Sequence, residues 1–202
     1  MLGTLLATFV AGGAGSALAD PWPFRPDFHP DQGPNHGHCF STGDTDPVGA
    51  LKDKMDEAMT YMANTTQANK ALNDPCDQDG PGRTDVVWRG ERVFDGLDEV
   101  IGQSDCTAEL TNVCDRYRAS VNGHLIRTHY NENDYPTNFE LYRNRQYRKT
   151  SCHELGHTLG LDHYPSPYSE SCQRSGWIGT VTLAWIRQWE DHHINTHIND
   201  WF

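Results

Sequence analysis

The chain has 202 residues, with 16 Lys and Arg against 28 Asp and Glu, a formal charge of −12 and a pI of about 5.2. That acidity argues against nucleic acid or an anionic membrane surface as the main partner, because both need a basic footprint. About 180 residues follow the leader described next, which suits one domain with a sizeable core.

Met1 to Leu18 carries no charged side chain, and Ala17-Leu18-Ala19 precedes Asp20. This A-x-A pattern reads as a secretory signal over residues 1–19, cleaved after Ala19. A basic n-region is missing, which points to a start further upstream. The competing reading, a retained anchor, is disfavoured because the strongly apolar part, Leu5 to Val10, is short. Six cysteines follow: Cys39, Cys76, Cys106, Cys114, Cys152 and Cys172. An even count in an exported chain reads as disulfides, and six cysteines allow 15 pairings. There is no CxxC pair, so a cysteine zinc ribbon is not expected.

Residues 20–45 read as an irregular N-terminal arm, punctuated by Pro and Gly and tied down at Cys39. His29, His36 and His38 in this arm offer ligands for a second metal, but a solvated His-rich arm is the simpler reading. A first helix should start at Asp46-Pro47, with Asp46 as cap, and fade by Asn73-Asp74-Pro75. Val48, Leu51, Met55, Met59 and Met62 fall at helical spacing and form its buried stripe. The Asp-rich stretch from Asn73 to Gly82 reads as an acidic loop rather than a calcium site.

Arg83 to Arg89 reads as a strand centred on Val86, Val87 and Trp88. A second strand is expected within Arg118 to Asn131, where Leu125 to Tyr130 is rich in strand formers and Asn122-Gly123 is a turn signal, with His124 and His129 solvated or hydrogen-bonded. Between them lies a Gly- and Asp-rich region in which Cys106 and Cys114 are close enough for a local bridge. Thr137 to Glu140 fits a capping box, and no proline interrupts the chain from there to Gly160, so one long helix is expected. Pro165 and Pro167 then mark a loop. A last helix should run from about Thr180, with Val181, Trp185, Ile186 and Trp189 on its apolar face and His193 and His197 on its outer face or in its packing.

The chemistry lies in HELGHTLGLDH, from His153 to His163, at the end of the long helix. Residues four apart share a helix face, so His153 and His157 can present two imidazoles to one metal. Glu154 projects beside them, where a general base for a metal-activated water belongs. Gly160 can stop the helix in the left-handed conformation and turn the chain so that His163 returns as a third ligand. A structural zinc site would need a fourth protein ligand, and Cys152 points to another face of the helix.

This segment resembles the zinc signature of the metzincin metallopeptidases, H-E-x-x-H-x-x-G-x-x-H, most nearly the small secreted bacterial snapalysin-like or matrixin-like members. The resemblance implies that His153, His157 and His163 ligate Zn2+ and that Glu154 is the general base. Snapalysin-type enzymes use Asp as third ligand; Asp162 stands beside His163, but the spacing favours His163. The implied fold is an α+β zincin fold: a twisted, five-stranded mixed sheet with a long N-terminal helix, an active-site helix and a C-terminal helix, spanning residues 46–202. The implied function is a secreted zinc endopeptidase, read as a monomer acting on a protein or peptide substrate, without nucleic acid and without membrane attachment in the mature form. The alternative is an inactive secreted zinc-binding module that uses its cleft for recognition. A third ligand from Glu190, as in gluzincins, is disfavoured by the placement of His163.

Metzincins carry a methionine in a turn beneath the zinc. No methionine follows Met62, and Gln173 stands in the matching segment, Ser169 to Gly176. Ser175, not Tyr, lies two residues beyond it, so the assisting tyrosine of astacin-type enzymes has no counterpart. A Cys152–Cys172 bridge would staple the helix to this turn, since each cysteine directly precedes a site residue. Cys106–Cys114 and Cys39–Cys76 would remain, the rival role for Cys39 being an inhibitory zinc-binding thiol.

Overall fold

In a computed structural model of the chain, the described residues are 29–30, 35–73, 76, 84–90, 100–110, 113–163, 171–178 and 184–202. The leader, most of the acidic stretch after Asn73, both loop prolines and the start of the expected last helix lie outside them. The elements in order are β1 (His29–Pro30), β2 (Asn35–Phe40), α1 (Ala50–Thr65), β3 (Asn69–Leu72), β4 (Val86–Arg89), β5 (Gly102–Leu110), β6 (Val113–Val121), α2 (Gly123–His129), α3 (Phe139–Thr158) and α4 (Asn199–Trp201). A 3-10 turn (Ala184–Arg187) and a π-helical segment (His193–Ile198) precede α4.

The fold is α+β with a mixed sheet. β3, β2, β4 and β6 lie side by side and parallel, β5 runs antiparallel along the outer side of β6, and β1 pairs with the first residues of β6. α1 and α3 pack on each other, and α3 also packs on β5 and β6. One core results. Leu51, Met55, Met59 and Met62 of α1 meet Val86 and Trp88 of β4, Val121 of β6, and Leu155 and Leu159 at the end of α3. Each such side chain contributes about 1.5–3 kcal/mol on burial. Among the described residues no helix is long and apolar enough to cross a membrane.

The disulfides are Cys39–Cys76, Cys106–Cys114 and Cys152–Cys172, the pairs anticipated above, and no described cysteine is free. The inhibitory-thiol role for Cys39 is thereby excluded. Three bridges are typical of proteins from oxidising, extracellular compartments.

Several expectations are corrected. The arm does not stay irregular through Phe40: Asn35–Phe40 is a strand within the sheet, between β3 and β4. His36 and His38 are therefore fully buried rather than solvated. The His36 Nε2 meets Thr158 Oγ1 at 3.0 Å, and the His38 Nδ1–H donates to the Ala71 carbonyl at 2.8 Å. The first helix starts later, after Gly49, and ends at Thr65; β3 occupies part of its expected tail. Val48 is consequently 57% exposed and outside the core. The strand expected within Arg118 to Asn131 is the end of β6, which stops at Val121, and Leu125 to Tyr130 is not a strand. Asn122 Oδ1 accepts from the Leu125 N–H at 2.9 Å, and that cap starts α2 where a turn was expected. The Gly- and Asp-rich region holds an unforeseen strand, β5. The capping box at Thr137 is not formed, since α3 starts at Phe139 with no side-chain cap. The last helix is broken, since the 3-10 turn ends at Arg187, and of the two roles open to His193 the structure gives it the packing one, because it is buried.

Burial drives the His36 pKa down to about 3, with neighbouring His38 adding to the effect. The unfolded chain binds that proton near pH 6.5. Below this value the unfolded state takes up a proton that the folded state refuses, so the stability contributed by the neutral ring is lost as pH falls from about 6.5 towards 3. His36→Gln should therefore flatten the acid limb of stability by about 1.4 kcal/mol per pH unit in that window. Urea midpoints at several pH values, wild type beside variant, measure it; parallel curves would contradict the assignment.

Candidate metal centre

α3 carries the first two imidazoles. His153 and His157 lie one turn apart near its C-terminus, both buried. The helix then stops. Gly160 has φ 89°, its N–H donates to the His157 carbonyl at 3.1 Å, and the Leu161 N–H returns to the Gly156 carbonyl at 2.9 Å. A left-handed residue here costs glycine little, and the reversal brings His163 back to the helix end. Asp162 Oδ1 accepts the His163 N–H at 2.6 Å and so caps this turn instead of serving as a ligand.

The three rings converge. The His157 Nε2 lies 3.1 Å from the His153 Nε2 and 3.2 Å from the His163 Nε2. Two of the rings have a fixed tautomer. The His153 Nδ1–H donates to the Cys172 carbonyl at 2.9 Å, and the His157 Nδ1–H to the Leu161 carbonyl at 2.7 Å. A carbonyl can only accept, so in each neutral ring the proton is on Nδ1 and Nε2 carries a lone pair. Those two lone pairs face each other without a proton between them. Burial keeps both rings neutral: His153 is held well below its ordinary pKa and His157 is pushed down to about 3. His163, more exposed, is lowered as well, again first by burial.

Crowded, deprotonated nitrogens of this kind fit a cation. Tetrahedral zinc at about 2.0–2.1 Å from each nitrogen places its ligands about 3.3–3.4 Å apart, close to the observed spacing. The Cys172 and Leu161 carbonyls that accept from Nδ1 supply the supporting shell that ligating histidines require. Among the described residues the cluster has these three members and no fourth His, Cys, Asp or Glu. Cys152, the nearest sulfur in sequence, is committed to its disulfide.

Glu154 packs against β5. It is 3% exposed, and Ser104 Oγ lies 2.9 Å from Oε2 and 2.9 Å from the Glu154 main-chain oxygen. Burial raises its pKa to about 8, against the opposing pull of the Ser104 hydrogen bond and the Lys149 ammonium. Lys149, one turn before His153, is itself buried, and burial lowers it to about 8.

Beneath the histidines sits Gln173. Its Nε2–H donates to the His153 carbonyl at 2.9 Å, while Oε1 is buried without a partner among the described residues. The amide lies against the bare backbone of Gly156: a Cβ there would come 1.7 Å from Gln173 Nε2 and 2.9 Å from Trp189 Nε1. Trp189 completes this floor by donating its Nε1–H to the Cys152 carbonyl at 3.3 Å.

The structure thus brings together His153, His157 and His163 and keeps His36, His38, His193 and His197 out of the cluster; the Glu154 carboxyl group is held against β5 by Ser104. Sequence reasoning missed Ser104, Lys149 and the two carbonyl acceptors. Helical spacing alone could have found Lys149, four residues before His153. No model of a known protein family matches the chain, and no curated protein matches it.

Gln173→Met should stabilise the fold by about 1 kcal/mol, because removal of an orphaned buried acceptor outweighs one lost hydrogen bond. Gly156→Ala should cost about 3 kcal/mol by overpacking, and most of that cost should vanish in a Gln173→Ala background. Urea denaturation of wild type, the three single variants and the double variant tests both; an unrelieved cost in the double variant would separate the two residues.

Proposed function

We propose that the protein is a secreted zinc-dependent endopeptidase of metzincin type. The observation that carries the reading is the meeting of three imidazole nitrogens, two with tautomers locked by backbone carbonyls, on a helix end bearing His153-Glu154-x-x-His157-x-x-Gly160-x-x-His163. A mixed sheet, an early long helix and three disulfides agree with it.

His153, His157 and His163 would hold the ion, which leaves a position for substrate because no fourth ligand is present among the described residues. Bound zinc supplies Lewis acidity, acidifying a water and polarising the scissile carbonyl. Glu154 takes a proton at its carboxylate from the attacking water and passes it to the departing amine. The Cys172 and Leu161 carbonyls hold the two helix imidazoles in register while this occurs.

A second reading is favoured by two observations: Glu154 is covered by β5, and Gln173 replaces the expected methionine with an unpaired buried oxygen. On that reading the domain binds zinc and recognises a partner without cleaving it.

Metal analysis and hydrolysis of an unfolded protein such as casein, on wild type beside Glu154→Gln, separates the two. The expected result is one zinc per chain in both proteins, with hydrolysis at least about 100-fold lower in the variant and abolished by chelation. One zinc in both and no cleavage by wild type would establish the binding module instead.

A further inference from the structure

We propose that Ser104, on the edge strand β5, is a positioning residue that holds the Glu154 carboxyl group through both halves of the proton transfer, with Gly102 forming the seat. The inference rests on the peptidase reading above. Gly102 and Ser104 are two residues apart on a strand and face the same side, towards α3. At Gly102 a Cβ would lie 2.2 Å from Glu154 Oε1, 2.8 Å from its Cδ and 2.6 Å from the Thr150 Cγ2. The missing side chain is therefore what admits the carboxyl group between β5 and the helix. Ser104 closes the other side, with Oγ 2.9 Å from Oε2 and 2.9 Å from the Glu154 main-chain oxygen.

A hydroxyl has one proton to donate and can also accept. Its one proton serves one of the two Glu154 oxygens at a time, and Oε2 is the side-chain acceptor it holds. The proton taken from water goes to the other carboxyl oxygen, Oε1, and leaves from there to the departing amine, while Oε2 continues to accept from Ser104. The Oγ–Oε2 bond thus holds the carboxyl group in place in both states, and the proton on Oε1 stays available for delivery. Arg118 steadies the strand by donating to Asp105, the next residue, at 2.9 Å.

The test uses full-length Ser104→Ala and Ser104→Thr, the latter keeping the hydroxyl. Ser104→Ala should bind one zinc, melt as a folded protein and keep KM, while kcat falls about 10- to 100-fold. Ser104→Thr should recover kcat to within a few-fold, and adding Ser104→Ala to Glu154→Gln should cost nothing further. Crystal structures give the readout independent of turnover: in Ser104→Ala the Glu154 carboxyl group should leave β5. Should the alanine variant fail to fold, Ser104→Cys, of similar shape but a weak donor, carries the same expectations. An unmoved Glu154 in the crystal, or kcat within twofold of wild type, overturns the positioning role. A wild type that cleaves nothing overturns the peptidase reading instead, and the crystal structures still decide whether Ser104 holds Glu154.

Discussion

The site depends on two hydrogen bonds at the back of the histidines. The Cys172 and Leu161 carbonyls each take an Nδ1–H, and by doing so they decide where every remaining lone pair points. Without these acceptors, His153 and His157 could swap tautomers and hydrogen-bond each other, and the cluster would be an ordinary buried polar contact. With them, the two Nε2 atoms are mutually repulsive and mutually exposed to the same small volume. The fold tolerates this because the helix, its glycine stop and the Cys172 turn are all fixed elsewhere: in the Met-rich core, by the reversal at Gly160 and by the disulfide. A cation relieves the repulsion that the scaffold imposes.

Much of this was legible in the sequence, and the reason is local. Ligand spacing on a helix follows from its pitch, and a glycine stop follows from the left-handed conformation, so neither needs distant information. The disulfide partners of Cys152 and Cys106 were readable because each pair flanks a local feature. What was not legible depends on neighbours in space. NHGHCF, the sequence of β2, reads as a polar, Gly-containing arm; it is a buried strand because β3 and β4 take up its backbone groups and because Thr158 and Ala71 receive its imidazoles. GQSDCTAEL, the sequence of β5, lacks the β-branched run of a strand and is specified by its pairing along β6. Leu125 to Tyr130 shows the reverse case, in which strand-like composition yields to one capping bond from Asn122.

Gln173 shows how a departure from a pattern can be accommodated without being fully compensated. The amide finds one partner, the His153 carbonyl, and the neighbouring Gly156 removes the side chain that would otherwise occupy its place. The oxygen finds none. A floor of this kind supports the ligand helix through a polar contact, where a thioether would do so by packing alone.

The Cys152–Cys172 bridge closes a small circuit: Cys152 precedes His153, and the Cys172 carbonyl holds the Nδ1–H of that same ring. Oxidation state and occupancy by a metal would therefore be thermodynamically linked, since each stabilises the arrangement the other needs. In a reducing compartment the turn that carries the acceptor loses its tether, and an ion held there would lose part of its preorganised shell. Assembly of such a centre would be biased towards the environment in which the bridge forms, with metal held most firmly after the oxidising step rather than at synthesis.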